Sequence, residues 1–182
     1  MNSGSVVSEA DIIQLGAVMT RLIDKFDGQY AFLSNFHPSQ VKLYGIDYPT
    51  VEHAFQAAKT MDLAERDAIR LAYTPGIAKR LGRRVHLRED WEQRKIGFME
   101  TLLRRKFDLG SKLWLQLRET IPAELVEGNH WNDRFWGATW TLIAADSERT
   151  IEETWAEEEG RFLTGRNQLG ILLMKIRDEE VK

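Results

Sequence analysis

"DWEQRKIGFMETLLRRKFDLG", residues 90–110, is the strongest helix pattern in the chain. Asp90 stands at the capping position. Ile96, Met99, Leu102, Leu103 and Phe107 recur at helical spacing as one apolar stripe, and Gly110 ends the run. The cations of "RRK" (104–106) come late in the helix, where its dipole favours positive charge. Downstream, a helix is predicted over 111–119, stopping before Pro122, and "AELVEG" (123–128) reads as a short strand. The C-terminal "TGRNQLGILLMKIRDEE" is a glycine-bounded loop followed by an apolar helix. Upstream, "VKLYGIDY" (41–48) alternates around Gly45 like a hairpin, and "YPTVEHAFQAAKT" (48–60) opens a helix at Pro49 and Thr50. Further helices are predicted over 64–72 and, between Pro75 and Gly82, over 75–82.

These elements make one α+β domain, predominantly α-helical, with a small β-hairpin or short strands. Ser8 and the apolar spacing of Ile12, Leu15, Val18, Met19, Leu22 and Ile23 predict a helix over 8–25. Residues 1–20 are thus read as an N-terminal helical extension and 21–182 as the domain proper. Within it, 141–160 is an acidic surface insertion, disordered or helical, densest in "DSERTIEETWAEEEG" (146–160).

The composition bounds the function. With 182 residues there is room for one well-packed domain, and no apolar run approaches the roughly 18 residues needed to cross a bilayer. The first twenty residues lack the features of a secretory signal. Zero cysteines remove disulfides and thiolate chemistry and fit a reducing compartment, so a cytoplasmic protein is expected. A net charge of -3 argues against a generic phosphate-backbone binder. The four histidines, His37, His53, His86 and His130, have no metal-site spacing, and no metal or cofactor is expected.

Six tryptophans are many for this length, and two fall in "GNHWNDRFWG" (128–137), which has neither strand alternation nor a helical stripe. Aromatic faces with amides and carboxylates between them suit a flat ring attached to a sugar; a structural loop whose Trp131 and Trp136 plug the core is the plainer reading. On the helix after Thr50, Glu52, Gln56 and Lys59 share a stripe beside the apolar face of Val51, Ala54, Phe55 and Ala58. A solvated stripe is the plainer reading there too, and His53 alone suits a structural histidine. The first-turn dipole would favour an ionised Glu52 unless desolvation overrides it. Glu52 and Asp133 would together supply the two carboxylates usual for a reaction through an oxocarbenium ion. The loops "LSNFHP" (33–38) and "TGRNQLG" (164–170) add Asn35, Phe36, Arg166 and Asn167.

In order and spacing, "FLSNF", "YPTVEHAFQAAK", "AKRLGR", "DWEQRK", "LLRRKF", "LVEGNHWNDRFWG" and "GRNQLGILLMKIR" resemble the YbiA-like proteins of the NADAR superfamily, over about residues 22–180. The resemblance implies a single YbiA-like domain that hydrolyses an N-glycosidic bond. The substrate would be a phosphoribosylated amine, a ribosylaminopyrimidine phosphate of the riboflavin pathway. Its alternatives are release of ADP-ribose from modified nucleobases, with ADP-ribosylated nucleic acid as partner, or non-catalytic binding of ADP-ribose or NAD derivatives. It implies Glu52 as the catalytic carboxylate, with Asp133 and Asn132 on the ribose hydroxyls or the water and Trp136 against the base or ribose. By their charge Lys59, Lys106 and Arg166 are candidates for the phosphate, and Asn35, Phe36, His53, Gln56 and Asn167 complete the expected substrate-binding set. The helix before Thr20 and the length of 141–160 are departures from the family pattern.

Overall fold

A computed structural model describes residues 21–142, 154–158 and 161–179. Its centre is a short helix, α1 (Val51–Ala57), in which all seven residues are buried. Thr50 caps it, its hydroxyl accepting from the His53 N–H at 3.3 Å. Around α1 pack α2 (Leu63–Arg70), α3 (Pro75–Gly82), α4 (Trp91–Lys106) and the antiparallel hairpin β2 (Val41–Leu43)–β3 (Ile46–Tyr48). Thr74 caps α3, with Pro75 in its first turn, and Ser111 caps α5 (Lys112–Arg118).

The 90–110 helix is α4. It buries Trp91, Met99, Leu102, Leu103 and Lys106. Two details differ from the sequence reading. Ile96, assigned to the stripe, is 38% exposed. Asp90 sits at the N-cap, but its carboxylate bonds Arg88 and Arg94 instead of the helix N–H groups. Charge-assisted pairing with two guanidinium groups competes successfully with the weaker backbone contact.

Leu22–Ile23 and the residues after α5 build the rest. β1 (Leu22–Ile23) runs parallel to β4 (Glu124–Leu125), and β5 (Gly128–Asn129), β6 (Ala138–Leu142), β8 (Arg161–Thr164) and β7 (Thr154–Glu158) form one sheet in that order. The helix predicted over 8–25 therefore fails at its end. Leu22 and Ile23 are strand, because the Glu124 and Val126 N–H groups bond to the carbonyls of Arg21 and Ile23. Its earlier part, and the whole 1–20 extension, lie outside the described residues. Thr154–Glu158, in the acidic stretch read as disordered or helical, is a strand paired with β8. The closing helix, α6 (Gln168–Asp178), packs on α4, α5 and β4.

The fold ties the sequence's distinctive loops together through the backbone. The Glu52 N–H donates to the Asn35 carbonyl at 3.0 Å, joining the 33–38 loop to α1. The N–H groups of Arg166, Asn167, Gln168 and Leu169 donate to the carbonyls of Arg134, Gly137, Phe135 and Trp136. The 33–38 loop is thus tied to α1, and the 164–170 loop to the 128–137 loop. Among the described residues, no helix is long and apolar enough to cross a membrane.

Candidate active site

A cavity of about 330 Å3 opens where α1, α3, the 33–38 loop and the 127–137 segment meet. Asn35, Phe36, Glu52, Gln56, Lys59, Asp133 and Trp136, all named from the sequence, line it. Glu52 is only 5% exposed, and the Gln56 Nε2 one turn along α1 donates to its Oε1 at 2.8 Å. Burial raises the Glu52 pKa, opposed chiefly by the charge of Lys79, then by the Gln56 hydrogen bond and Lys59, while Asp133 pushes it further up. Desolvation thus outweighs the first-turn dipole. Lys59, half-buried, has its pKa lowered mainly by desolvation, with Glu52 pulling the other way.

The 128–137 loop earns its polar content by folding on itself. The buried Asn129 donates to the carbonyls of Asp133 and Ala138 at 2.8 and 3.1 Å, and its Oδ1 accepts from the Asp133 N–H at 3.0 Å. Asp133 Oδ1 accepts from the N–H groups of Phe135 and Trp136 at 3.2 and 2.9 Å. Asp133 therefore shapes the loop as well as lining the cavity. Trp136 lies edge-on to Phe55 at 5.2 Å between ring centroids, so it is partly core and partly wall. Trp131 is not a core plug: it is 62% exposed at the cavity, with the Lys79 ammonium 5.7 Å from its ring.

Five predicted ligands do not line the cavity. His53 is buried between Thr50 Oγ1, 2.8 Å from its Nδ1, and the Ala72 carbonyl, 3.1 Å from its Nε2. A carbonyl only accepts, so Nε2 carries the proton and both ring nitrogens are spent on the fold. Lys106, 3% exposed, donates to the Ser34 carbonyl at 2.6 Å and braces the 33–38 loop from behind. Desolvation lowers its pKa to about 7. Asn167 is fully buried and bonds Leu125 and Glu127 backbone. Asn132 is exposed in the left-handed region (φ 61°), and the exposed Arg166 lies over the Phe135 ring. The structure supplies in their place Lys79, Arg83 and Glu127, together with Ser34, Phe55, Met99 and Trp131. Lys79 and Arg83 lie in the recognised "AKRLGR" run, and Glu127 in "LVEGNHWNDRFWG". Their motifs were visible, but their facing was not.

Residues 23–179, nearly all of the described chain, match the NADAR domain. The chain belongs to the NADAR domain family. It is 36% identical over 152 residues to the N-glycosidase YbiA of Escherichia coli K12, covering 82% of this chain and 81% of that one. The NMR structure of E. coli YbiA superposes with a TM-score of 0.63 at 32% identity, covering 89% and 88% of the two chains. A riboflavin biosynthesis protein of Vibrio vulnificus is 31% identical over 155 residues, which are 84% of this chain and 36% of that longer protein. The α+β fold expected from the sequence is the one that E. coli YbiA has.

Proposed function

We propose that this chain is an N-glycosidase that hydrolyses the C–N bond between a phosphoribosyl group and an amine, with a ribosylaminopyrimidine phosphate of the riboflavin pathway as substrate. The observation that carries the reading is Glu52: a buried carboxylate, fixed by Gln56, in a cavity that also holds Lys59, Lys79 and Arg83. As the amine departs, positive charge develops on C1′ and the ring oxygen. A preorganised carboxylate out of water stabilises that charge where it forms. Asp133, whose Oδ1 is committed to the loop, has its second oxygen left for a ribose hydroxyl or the attacking water. Phe36, Trp131 and Trp136 supply flat apolar surface for the base, and the three cations complement a phosphate.

The relatives' names support the reaction class, and the cavity's size supports the smaller substrate. About 330 Å3 is at the low end of the roughly 300–1,000 Å3 typical of ligand pockets, and ADP-ribose would bring a second ribose and an adenine. The test is incubation with a ribosylaminopyrimidine phosphate, with NAD and an ADP-ribosylated oligonucleotide as parallel arms, followed by chromatography. Release of ribose 5-phosphate and free amine is expected. Binding of all three substrates without release would make the protein a reader and end the proposal.

A further inference from the structure

Three carboxyl groups line the cavity, and the fold treats them differently. Glu52 is held by Gln56. Asp133 has Oδ1 committed to two backbone N–H groups. The Glu127 carboxyl makes no hydrogen bond among the described residues, although its backbone is pinned. Its N–H donates to Asn167 Oδ1 at 3.0 Å, and its carbonyl accepts from the Ala138 N–H at 3.0 Å. Gly137 closes over that carbonyl: a Cβ there would lie 2.1 Å from the Glu127 oxygen, so only glycine permits the approach. A carboxyl on an immobilised strand end, facing a ligand cavity and spent on nothing structural, is placed for proton transfer.

We propose that Glu127 is the proton donor of the reaction, giving its carboxyl hydrogen to the departing nitrogen. The assignment rests on the N-glycosidase reading. The bookkeeping closes without a co-reactant other than water. The C1′–N bond breaks and its electron pair goes to nitrogen, which takes the Glu127 proton and leaves as a neutral amine. Water adds to C1′, and its proton returns to the Glu127 carboxylate. Glu52 stays ionised throughout as the partner of the C1′ cation. An aromatic or vinylogous amine expelled without that proton would be a strongly basic anion, so the step needs an acid.

The surroundings keep Glu127 supplied with its proton. Burial above all, with Asp133 and Glu52 as like charges, raises its pKa to about 8, and Lys79 only partly offsets them. Glu52 has both Lys79 and Lys59 to favour its charge, as well as the Gln56 hydrogen bond. Two carboxyls in one site with different partners divide naturally into acid and anion.

The experiment compares two leaving groups in wild type and Glu127→Gln. A ribosylaminopyrimidine phosphate needs a proton to release its amine; nicotinamide mononucleotide releases a neutral pyridine without one. Loss of a general acid typically costs about 100-fold or more. The amine substrate is expected to lose that much kcat/KM, with the loss on the pyridinium substrate at least about ten-fold smaller. The wild type provides a second readout that needs no variant to fold: kcat/KM for the amine falls above about pH 8, where Glu127 loses its proton, and that limb is missing for the pyridinium substrate. If the wild type cleaves only the amine, disappearance of the alkaline limb in Glu127→Gln takes its place. Equal losses on both substrates, or an alkaline limb that survives the substitution, overturns the assignment while leaving the N-glycosidase reading intact. Cleavage of neither substrate overturns both.

Discussion

Asn167 grips the segment between β4 and β5 that carries Glu127: its Oδ1 accepts from the Glu127 N–H at 3.0 Å and its Nδ2 donates to the Leu125 carbonyl at 2.9 Å. The residue itself is left-handed (φ 46°), a conformation that asparagine tolerates better than most residues. Two independent demands, on amide and on backbone, therefore select Asn here. Asn167→Gly relieves the backbone demand and removes the amide. It is expected to lower stability by about 2–4 kcal/mol, since two buried backbone groups lose their partners. Asn167→Ala adds left-handed strain and should melt lower still. A Gly variant that melts with the wild type would show that the two side-chain bonds contribute nothing.

Glu52→Gln should separate catalysis from stability. The interaction of Glu52 with a C1′ cation exists mainly in the transition state, so kcat is expected to fall about 100–1000-fold with KM changed little. Glutamine keeps the shape and an oxygen for Gln56, and it removes a charge that burial disfavours. The melting temperature should hold or rise. Single-turnover hydrolysis beside thermal melting measures both quantities, and a fully active Gln variant removes Glu52 from the mechanism.

The sequence was most legible where a pattern depends on near neighbours. Helices α1 to α6 and the Gly45 hairpin follow from caps, stripes and glycines within a few residues of one another. Leu22–Ile23 misled because its apolar spacing fits a helix locally, whereas its backbone partners are a hundred residues away at Glu124 and Val126. The site divides the same way. The Glu52–Gln56 pair is written in a spacing of four, but whether that stripe met water or a cavity depended on the 127–137 segment folding over it. His53, Lys106 and Asn167 have the chemistry of ligands and spend it on backbone, a choice made by tertiary contacts alone. Lys79 on α3 and Arg83 just past its end are not legible as site residues from sequence, because a cation there looks the same whichever way it faces.

Glu127 and Lys106 should tilt stability against pH in opposite directions. The Glu127 carboxyl has an ordinary value of 4.5 and is raised to about 8 in the fold. Between those values the native state holds a proton the unfolded chain has lost, so stability falls as pH rises. Lys106 drops from 10.5 to about 7. Between those values the unfolded chain holds the extra proton, and stability rises with pH. Glu127→Gln should flatten the fall between about pH 5 and 8, leaving the share due to Glu52, whose shift has the same sign. Lys106→Met should gain most on the wild type below about pH 7, with the gain fading toward pH 10. Urea titrations across the range read both, and parallel curves for wild type and either variant would remove that residue as a source of the slope.

Gly82 links packing on α3 to the carboxylate on α1. A Cβ built there would stand 2.1 Å from Gln56 Oε1, 2.7 Å from its Cβ and 2.8 Å from its Cδ. Contacts that short force the neighbour to move, and here Gln56 is 4% exposed with its Cβ fixed to the helix. The side chain cannot swing away into solvent. Gly82→Ala should therefore push Gln56 off Glu52, breaking the 2.8 Å bond that holds the carboxylate. Overpacking of this kind typically costs about 1–3 kcal/mol, partly offset by the better helix propensity of alanine, worth about 1 kcal/mol. The effect on catalysis should exceed the effect on stability, because the electrostatic work of Glu52 depends on its position. A fall in kcat of at least about ten-fold is expected at a temperature where the variant remains folded. Gln56→Gly in the same background removes all three short contacts, the Cβ included, but leaves Glu52 without its donor. It should recover melting temperature without recovering kcat. Recovery of both in the double variant would mean that Gly82 serves only packing and that the Gln56 bond does not orient Glu52.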